Sequence, residues 1–237
     1  MEQQKLTRLK NDLISNITHE LKTPIATVRV ALEAMQNFGA LDNPQKTTEY
    51  LDISQRELNR LSILVDKVLN TSLFEKSDFP IKKENINLKV LIEDVLKSLK
   101  LQFQSRKASV AFETTGSDFS ITADRTHLTN VVYNLVDNAL KYSPENPNIT
   151  IHLDQKVDEI SLSVKDSGLG IPEEYQDKIF EKFFRIPQEN QHSVKGHGLG
   201  LNYVRQVIEK HKGIIQLTSE AGKGTCLKVV LPAAKSM

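Results

Sequence analysis

The sequence predicts an all-α helical hairpin, paired into a four-helix bundle, followed by an α+β sandwich domain with a mixed sheet. Three observations carry that prediction. Apolar residues recur at steps of three and four through roughly the first 70 positions. A polar, proline-bearing break, SDFPIKKEN, then interrupts them at residues 77–85. Beyond the break, short alternating segments mingle with helical periods.

The first helix is carried by Leu6, Leu9, Leu13, Ile17, Leu21, Ile25, Val28, Leu32, Met35 and Phe38, which fall on one stripe. NFGALDNP, with Gly39 and Pro44, is a turn-rich connection. A second run through Tyr50, Ile53, Leu58, Leu61, Leu64, Val65, Val68 and Leu69 gives the return helix of an antiparallel hairpin. Such a hairpin cannot hide both apolar stripes by itself. Pairing with a second copy as a homodimer is the expected solution, and packing onto the rest of its own chain is the other. The expected divisions are a hairpin over 1–76, a linker over 77–87 and a second domain over 88–237.

In the second domain the periods predict helices near 88–105, 126–142 and 199–211. Strands are expected near 108–114, 119–123, 149–155, 159–165, 214–219 and 225–231. NITIHLD and EISLSVKD alternate polar with apolar residues, the pattern of a sheet covered on one face by helices.

Composition excludes several classes. The 237 residues carry a formal charge of +1 and no polybasic stripe, so neither a nucleic acid nor a bulk electrostatic hold on a membrane is indicated. No stretch approaches the roughly 20 apolar residues of a membrane helix, and MEQQKLTRLKND is not a signal peptide. The chain is expected to be soluble and cytoplasmic, or the cytoplasmic part of a sensor anchored upstream. A lone cysteine, Cys226, fits a reducing compartment and reads as a small apolar strand residue. The scattered histidines 127, 152, 192 and 211 lack metal-ligand spacing.

Two constellations suggest chemistry. In SNITHELKTP, His19 lies two residues from both Ile17 and Leu21, about 200° around the helix from each. It therefore points away from the apolar stripe, with Glu20 adjacent and Thr23 one turn on. An exposed imidazole beside a carboxylate can act as a nucleophile whose proton is taken next door; the same spacing suits an ordinary surface histidine. Thr23-Pro24 reads as an N-cap and first-position proline, or as a proline kink, since the apolar period runs unbroken from Leu13 to Val28.

The second constellation is spread over the other domain. Asn134 and Asn138 in NLVDNALKYS sit one turn apart, two amide oxygens suited to Mg²⁺, with Lys141 and Tyr142 close behind; helix-end capping is the bland alternative. DSGLGIP follows a strand: Asp166 offers a carboxylate for an exocyclic amine, and Gly168 and Gly170 permit close backbone approach or simply a turn. FEKFFR ends in Arg185. GHGLGL (Gly196, Gly198, Leu199, Gly200) opens a helix whose backbone N–H groups suit phosphate. GKGT brings Thr225 to a tight turn between strands.

SNITHELKTP, NLVDNALKYS, DSGLGIP, FEKFFR, GHGLGL and GKGT together, in this order, resemble the motif boxes of sensor histidine kinases of two-component systems. The resemblance runs from about Asn11 to Pro232. It implies a dimerisation and phosphoacceptor hairpin joined to an ATP-binding domain like those of gyrase, the Hsp90 chaperones and MutL. By that resemblance His19 accepts the γ-phosphate of ATP, Glu20 is the general base, and Thr23 orients water for dephosphorylating a response regulator. Asn134 and Asn138 hold Mg²⁺, with Lys141 and Tyr142 nearby. Asp166 meets the adenine amine, Gly168 and Gly170 shape its pocket, and Arg185 meets the terminal phosphate. Residues 186–196 form a lid closed by the glycines at 196, 198 and 200. His197 departs from the family's usual small hydroxyl residue. The implied activity is histidine autophosphorylation and transfer to a regulator aspartate. An ATP-binding dimer scaffold, or an ATPase that moves clients, is the alternative.

Overall fold

The structure, a computed structural model, describes residues 21–37, 43–75, 79–187 and 198–234, with backbone alone for 59–60 and 62–75. His19 and Glu20, Gly196, His197, and most of the expected lid lie outside the described residues. Contacts divide the chain into two compact units between Phe79 and Pro80.

In the first unit, helix α1 occupies residues 21–37 and α2 spans Pro44–Glu75. Residues 21–23 are already helical ahead of Pro24, so the proline sits inside α1 rather than at its first position. Asn43 caps α2: its Oδ1 accepts from the N–H groups of Gln45 (3.1 Å) and Lys46 (3.2 Å), with Pro44 in the first-turn position that needs no donor. Ala31 and Met35 are buried, but Ile25 (54 % exposed) and Leu32 (46 %) are not, although both belong to the apolar stripe of the sequence. Leu51 and Leu58 of α2 are exposed as well. The stripe is therefore wider than one partner helix covers.

The second unit opens with β1 (Glu84–Asn87), which lies in what the sequence suggested as linker. It pairs antiparallel with β3 (Ser120–Ala123), placing Ile86 opposite Ile121. Asn87 ends the strand and caps α3 (Leu88–Ser98), accepting from the N–H of Val90 at 3.2 Å. The helix expected over 88–105 is interrupted at Leu99 and continues as α4 (Lys100–Ser105). Hydrogen bonds enter and leave Leu99 at i−4 spacing, from Leu99 to Val95 and from Phe103 to Leu99, so the break bends one helical path rather than ending it.

The main sheet has the order β2 (Ser109–Thr115), β4 (Asn148–Gln155), β5 (Glu159–Asp166), β7 (Gly224–Pro232), β6 (Ile214–Glu220). β2 runs parallel to β4 and the other pairs are antiparallel, so the sheet is mixed. Its inner face buries Ile149, Ile151 and Leu153 of β4, Ile160, Leu162 and Val164 of β5, and Leu227, Val229 and Leu231 of β7. The period of two thus places one residue set under helices α5 (Arg125–Tyr142) and α7 (Gly200–Lys210), which pack against each other and on the sheet. Short helical pieces at Glu173–Gln176 (α6) and Lys178–Phe180 (a 3₁₀ turn) connect β5 to α7.

Asp124 and His211 hold the far ends of α5 and α7 together. Asp124 caps α5, accepting from the N–H groups of His127 (3.0 Å) and Lys82 (2.8 Å). Burial pushes its carboxyl up, but those two N–H bonds and the nearby histidines outweigh it and hold the group below the usual range. The Asp124 N–H in turn donates to Nε2 of buried His211 (2.9 Å), while the His211 Nδ1–H donates to the Val207 carbonyl (2.7 Å). Only the neutral Nδ1–H form satisfies both bonds.

Burial, with Lys83 and His127 nearby, lowers the His211 pKa despite the bond to Val207 and the Asp124 charge. The unfolded chain therefore takes up the proton first. Stability from this site is complete above about pH 6.5 and falls as pH drops below it toward the lower folded-state value, at up to about 1.4 kcal/mol per pH unit. His211→Gln keeps a donor and an acceptor but cannot titrate. Its thermal unfolding should show a flatter pH dependence between about pH 5 and 7 than the parent chain; an unchanged slope would refute the assignment.

Candidate nucleotide site

The site begins at the last residue of β5. Asp166 is 8 % exposed, and its Oδ1 accepts from the backbone N–H groups of Gly168 (2.8 Å) and Thr225 (3.3 Å). Oδ2 accepts nothing among the described residues. Burial raises the Asp166 pKa, and the two N–H bonds oppose the rise. Asp166 is thus a carboxylate fixed on one oxygen and open on the other.

Gly168 follows at close quarters. A Cβ there would lie 2.5 Å from the Tyr142 carbonyl oxygen and 2.7 Å from Asp166 Oδ1. The same carbonyl accepts from Leu169 N–H at 3.0 Å. Gly170 has φ +65°, and a Cβ would strike the Glu220 carbonyl. Both glycines therefore serve packing of the turn between the end of α5 and the β6–β7 hairpin. Ser219 and Gln176 complete this wall, and neither is prominent in the sequence. Ser219 Oγ accepts from Ile171 N–H (2.9 Å) and lies 3.0 Å from Thr225 Oγ1; Gln176 Nε2 donates to the carbonyls of Ile171 and Ser219.

α5 supplies Asn134, Asn138, Lys141 and Tyr142, all partly or well exposed. Asn134 Nδ2 donates to the Asn130 carbonyl at 2.7 Å, which leaves Oδ1 facing Gly200 at the start of α7. Lys141 forms an ion pair with Asp137 one turn earlier, a carboxylate that the motif pattern does not single out. Arg106 Nη2 donates to the carbonyls of Leu140 (3.2 Å) and Ser143 (3.0 Å), a cation at the negative end of the helix.

The remaining motifs meet α7. Gly198 has φ +67° and lies against the backbone of Phe183 and Phe184, and its carbonyl accepts from Phe183 N–H at 2.9 Å. Asn202 Nδ2 donates to the Phe180 carbonyl. Arg185 is exposed at the end of the aromatic run. A chain of contacts thus joins Thr225 to Asp166, the Gly168 turn to Tyr142, Asn134 to Gly200, and Gly198 to the FEKFFR segment. In the other unit, Thr23 is exposed on α1.

The fold and this chain of contacts define a nucleotide-binding α+β domain preceded by a helical hairpin. Residues 123–235 match the histidine kinase-, DNA gyrase B- and HSP90-like ATPase family, and residues 9–76 match the His kinase A (phospho-acceptor) domain. Sensor protein RprX of Bacteroides fragilis is 35 % identical over 99 % of this chain and 46 % of its own length. Sensor histidine kinase WalK of Bacillus subtilis is 32 % identical over 98 % of this chain and 38 % of its own. The catalytic domain of histidine kinase ThkA superposes with a TM-score of 0.57 at 32 % identity, covering 64 % of this chain and 97 % of that one. Histidine kinase ThkA in complex with response regulator protein TrrA gives a TM-score of 0.62 at 27 % identity, over 98 % of this chain and 64 % of that one. The chain belongs to the sensor histidine kinases of two-component systems, and it carries their ATP-binding domain. It spans less than half the length of the curated relatives above. Among the described residues, no helix is long and apolar enough to cross a membrane.

Proposed function

We propose that this chain is the catalytic core of an ATP-dependent histidine autokinase whose phospho-acceptor is His19. The observation that carries the reading is the half-free carboxylate of Asp166, tied through its own turn to the helix bearing Asn134 and Asn138. In the proposed step an imidazole nitrogen of His19 attacks the γ-phosphorus, forming a P–N bond as the P–O bond to ADP breaks. Glu20 takes the ring proton. Asp166 Oδ2 accepts from the adenine amine, in the wall shaped by Gly168, Gly170 and Thr225. The backbone about Gly196, Gly198, Leu199 and Gly200, with Lys141, Tyr142 and Arg185, lines the phosphate side.

Mg²⁺ is an expected companion of the triphosphate, and the donor set fits it. Asn134 has its nitrogen committed to Asn130, so the oxygen is the atom left to offer, and Asn138 is one turn further on. Such an ion is coordinated by oxygen and neutralises charge on the phosphates.

Two partners follow. The exposed Ile25, Leu32, Leu51 and Leu58 support a second copy as cover for the hairpin, giving a homodimer. The complex of histidine kinase ThkA with a response regulator supports transfer from His19 to a regulator aspartate, and exposed Thr23, four residues on from His19, suits orienting a water that hydrolyses the regulator's aspartyl phosphate to free phosphate. The core is proposed to work on the cytoplasmic side of a longer sensor. Incubation with Mg²⁺ and γ-labelled ATP should give label that is lost in acid and retained in alkali, as a P–N bond requires. Nucleotide binding without label would refute the kinase and leave a scaffold or a client-moving ATPase.

A further inference from the structure

One row of side chains crosses β5, β7 and β6 beside the open oxygen of Asp166. Asp166 stands opposite Thr225, and Thr225 opposite Ser219, so the three share the face under the helices. Ser219 Oγ lies 2.9 Å from the Ile171 nitrogen, 2.9 Å from the Gly224 carbonyl oxygen and 3.0 Å from Thr225 Oγ1. Those are all the bonds one hydroxyl can make, with a single proton to donate and two lone pairs. The Ile171 N–H can only donate, and a carbonyl can only accept. The one proton of Ser219 is therefore committed to Gly224, and Thr225 has to be the donor in the bond between the two hydroxyls. Gly224 is itself locked in place, packed so closely on Asp166 that a Cβ would stand 2.0 Å from the Asp166 carbonyl oxygen.

A hydroxyl whose proton is held on one side offers only lone pairs on the other. With its proton on Ser219, Thr225 Oγ1 accepts nothing among the described residues, and neither does Asp166 Oδ2. We propose that Ser219 is a positioning residue for base selection: by holding the Thr225 proton it makes Thr225 Oγ1 an acceptor, which joins Asp166 Oδ2 in an edge that suits an amino group and rejects a carbonyl. Adenine carries an amine at the ring position where guanine carries a carbonyl oxygen. Against guanine both protein oxygens would meet lone pairs, and Thr225 could donate only by giving up its bond to Ser219. This rests on the reading of Asp166 as the adenine contact.

The test is the ratio of ATP to GTP affinity, measured by calorimetry on the whole chain with Mg²⁺. Ser219→Ala leaves the Thr225 hydroxyl free to turn and donate. ATP should then bind more weakly and GTP more tightly, and the ratio should fall about three- to tenfold, the size of one hydrogen bond. Ser219→Thr keeps a hydroxyl on the same carbon and should hold the ratio within about twofold of the parent. Ser219→Cys, a weak donor and acceptor of similar shape, should lower the ratio as alanine does, and it serves if alanine unfolds the turn. Thr225→Val removes the hydroxyl that is being aimed, so the ratio should fall, and adding Ser219→Ala should lower it no further. Equal losses for ATP and GTP in Ser219→Ala, with the ratio unchanged, would make Ser219 a packing residue only and overturn the proposal. A further fall in the Thr225→Val background would overturn it too. A parent chain that binds no ATP overturns the reading of the site itself, and the role of Ser219 with it.

Discussion

Asp166→Asn is expected to weaken ATP binding by about 100-fold while leaving the domain folded. The carboxylate has two separable tasks. Oδ1 accepts from Gly168 and Thr225 N–H and so shapes the turn; Oδ2 is open. An asparagine can keep its oxygen on the two N–H groups, so the turn survives. It then presents an NH₂ where the adenine amine also donates, and two donors meet. Losing a hydrogen bond to a charged acceptor and leaving a donor unpaired together cost about 3 kcal/mol, and about 1.4 kcal/mol is tenfold in affinity. Calorimetric titration measures the loss, and thermal unfolding without nucleotide checks that the fold is retained. The same exchange should narrow the preference for ATP over GTP, whose ring carries a carbonyl oxygen where adenine has its amine. An Asn variant binding ATP within about threefold of the parent would remove Asp166 from the recognition of the base.

Asp166 stands in a motif visible in the sequence and in a geometry that is not. The DSGLGIP run suggests close backbone approach, and the structure supplies what approaches: the Tyr142 carbonyl at Gly168 and the Glu220 carbonyl at Gly170. Ser219 and Gln176 were illegible because their roles depend on register. Only once β6 pairs with β7 does Ser219 stand opposite Thr225, close enough for its hydroxyl to reach both Thr225 and the Ile171 N–H. The long strands and helices were legible because their periods are strong. β1 was not: ENIN contains one apolar residue, Ile86, and its pairing with β3 crosses more than thirty residues of chain, from Asn87 to Ser120 at the nearest point.

The hairpin shows a different limit of periodicity. Steps of three and four select a face, yet they do not say which neighbour covers it. Within one chain Met35 is buried while Ile25 and Leu32 of the same stripe remain exposed. The stripe therefore carries two kinds of contact, one inside the hairpin and one left for a second surface. Lys141 shows the corresponding limit for charge. A lysine near paired asparagines suggests phosphate, but Asp137, one turn back, already holds it. Any phosphate at Lys141 must compete with, or be joined to, that ion pair.

His19→Gln should abolish the label altogether while changing ATP affinity by no more than about twofold. Glutamine lacks a nucleophilic ring nitrogen, so no P–N bond can form at this position. It is also a slightly better helix former than histidine, so the hairpin is not weakened by the exchange. The contrast with Asp166→Asn is the informative part: with ATP held well below the weakened Kd of that variant, each should be dark for its own reason, one binding ATP with no acceptor, the other keeping the acceptor with its ATP site empty. If the ATP site of one protomer serves the histidine of the other, mixing the two variants should return label to the Asp166→Asn chain alone. If each chain serves itself, the mixture stays dark. Label on the His19→Gln chain, in the mixture or by itself, would place the acceptor at another of the six histidines and would sink the assignment of His19.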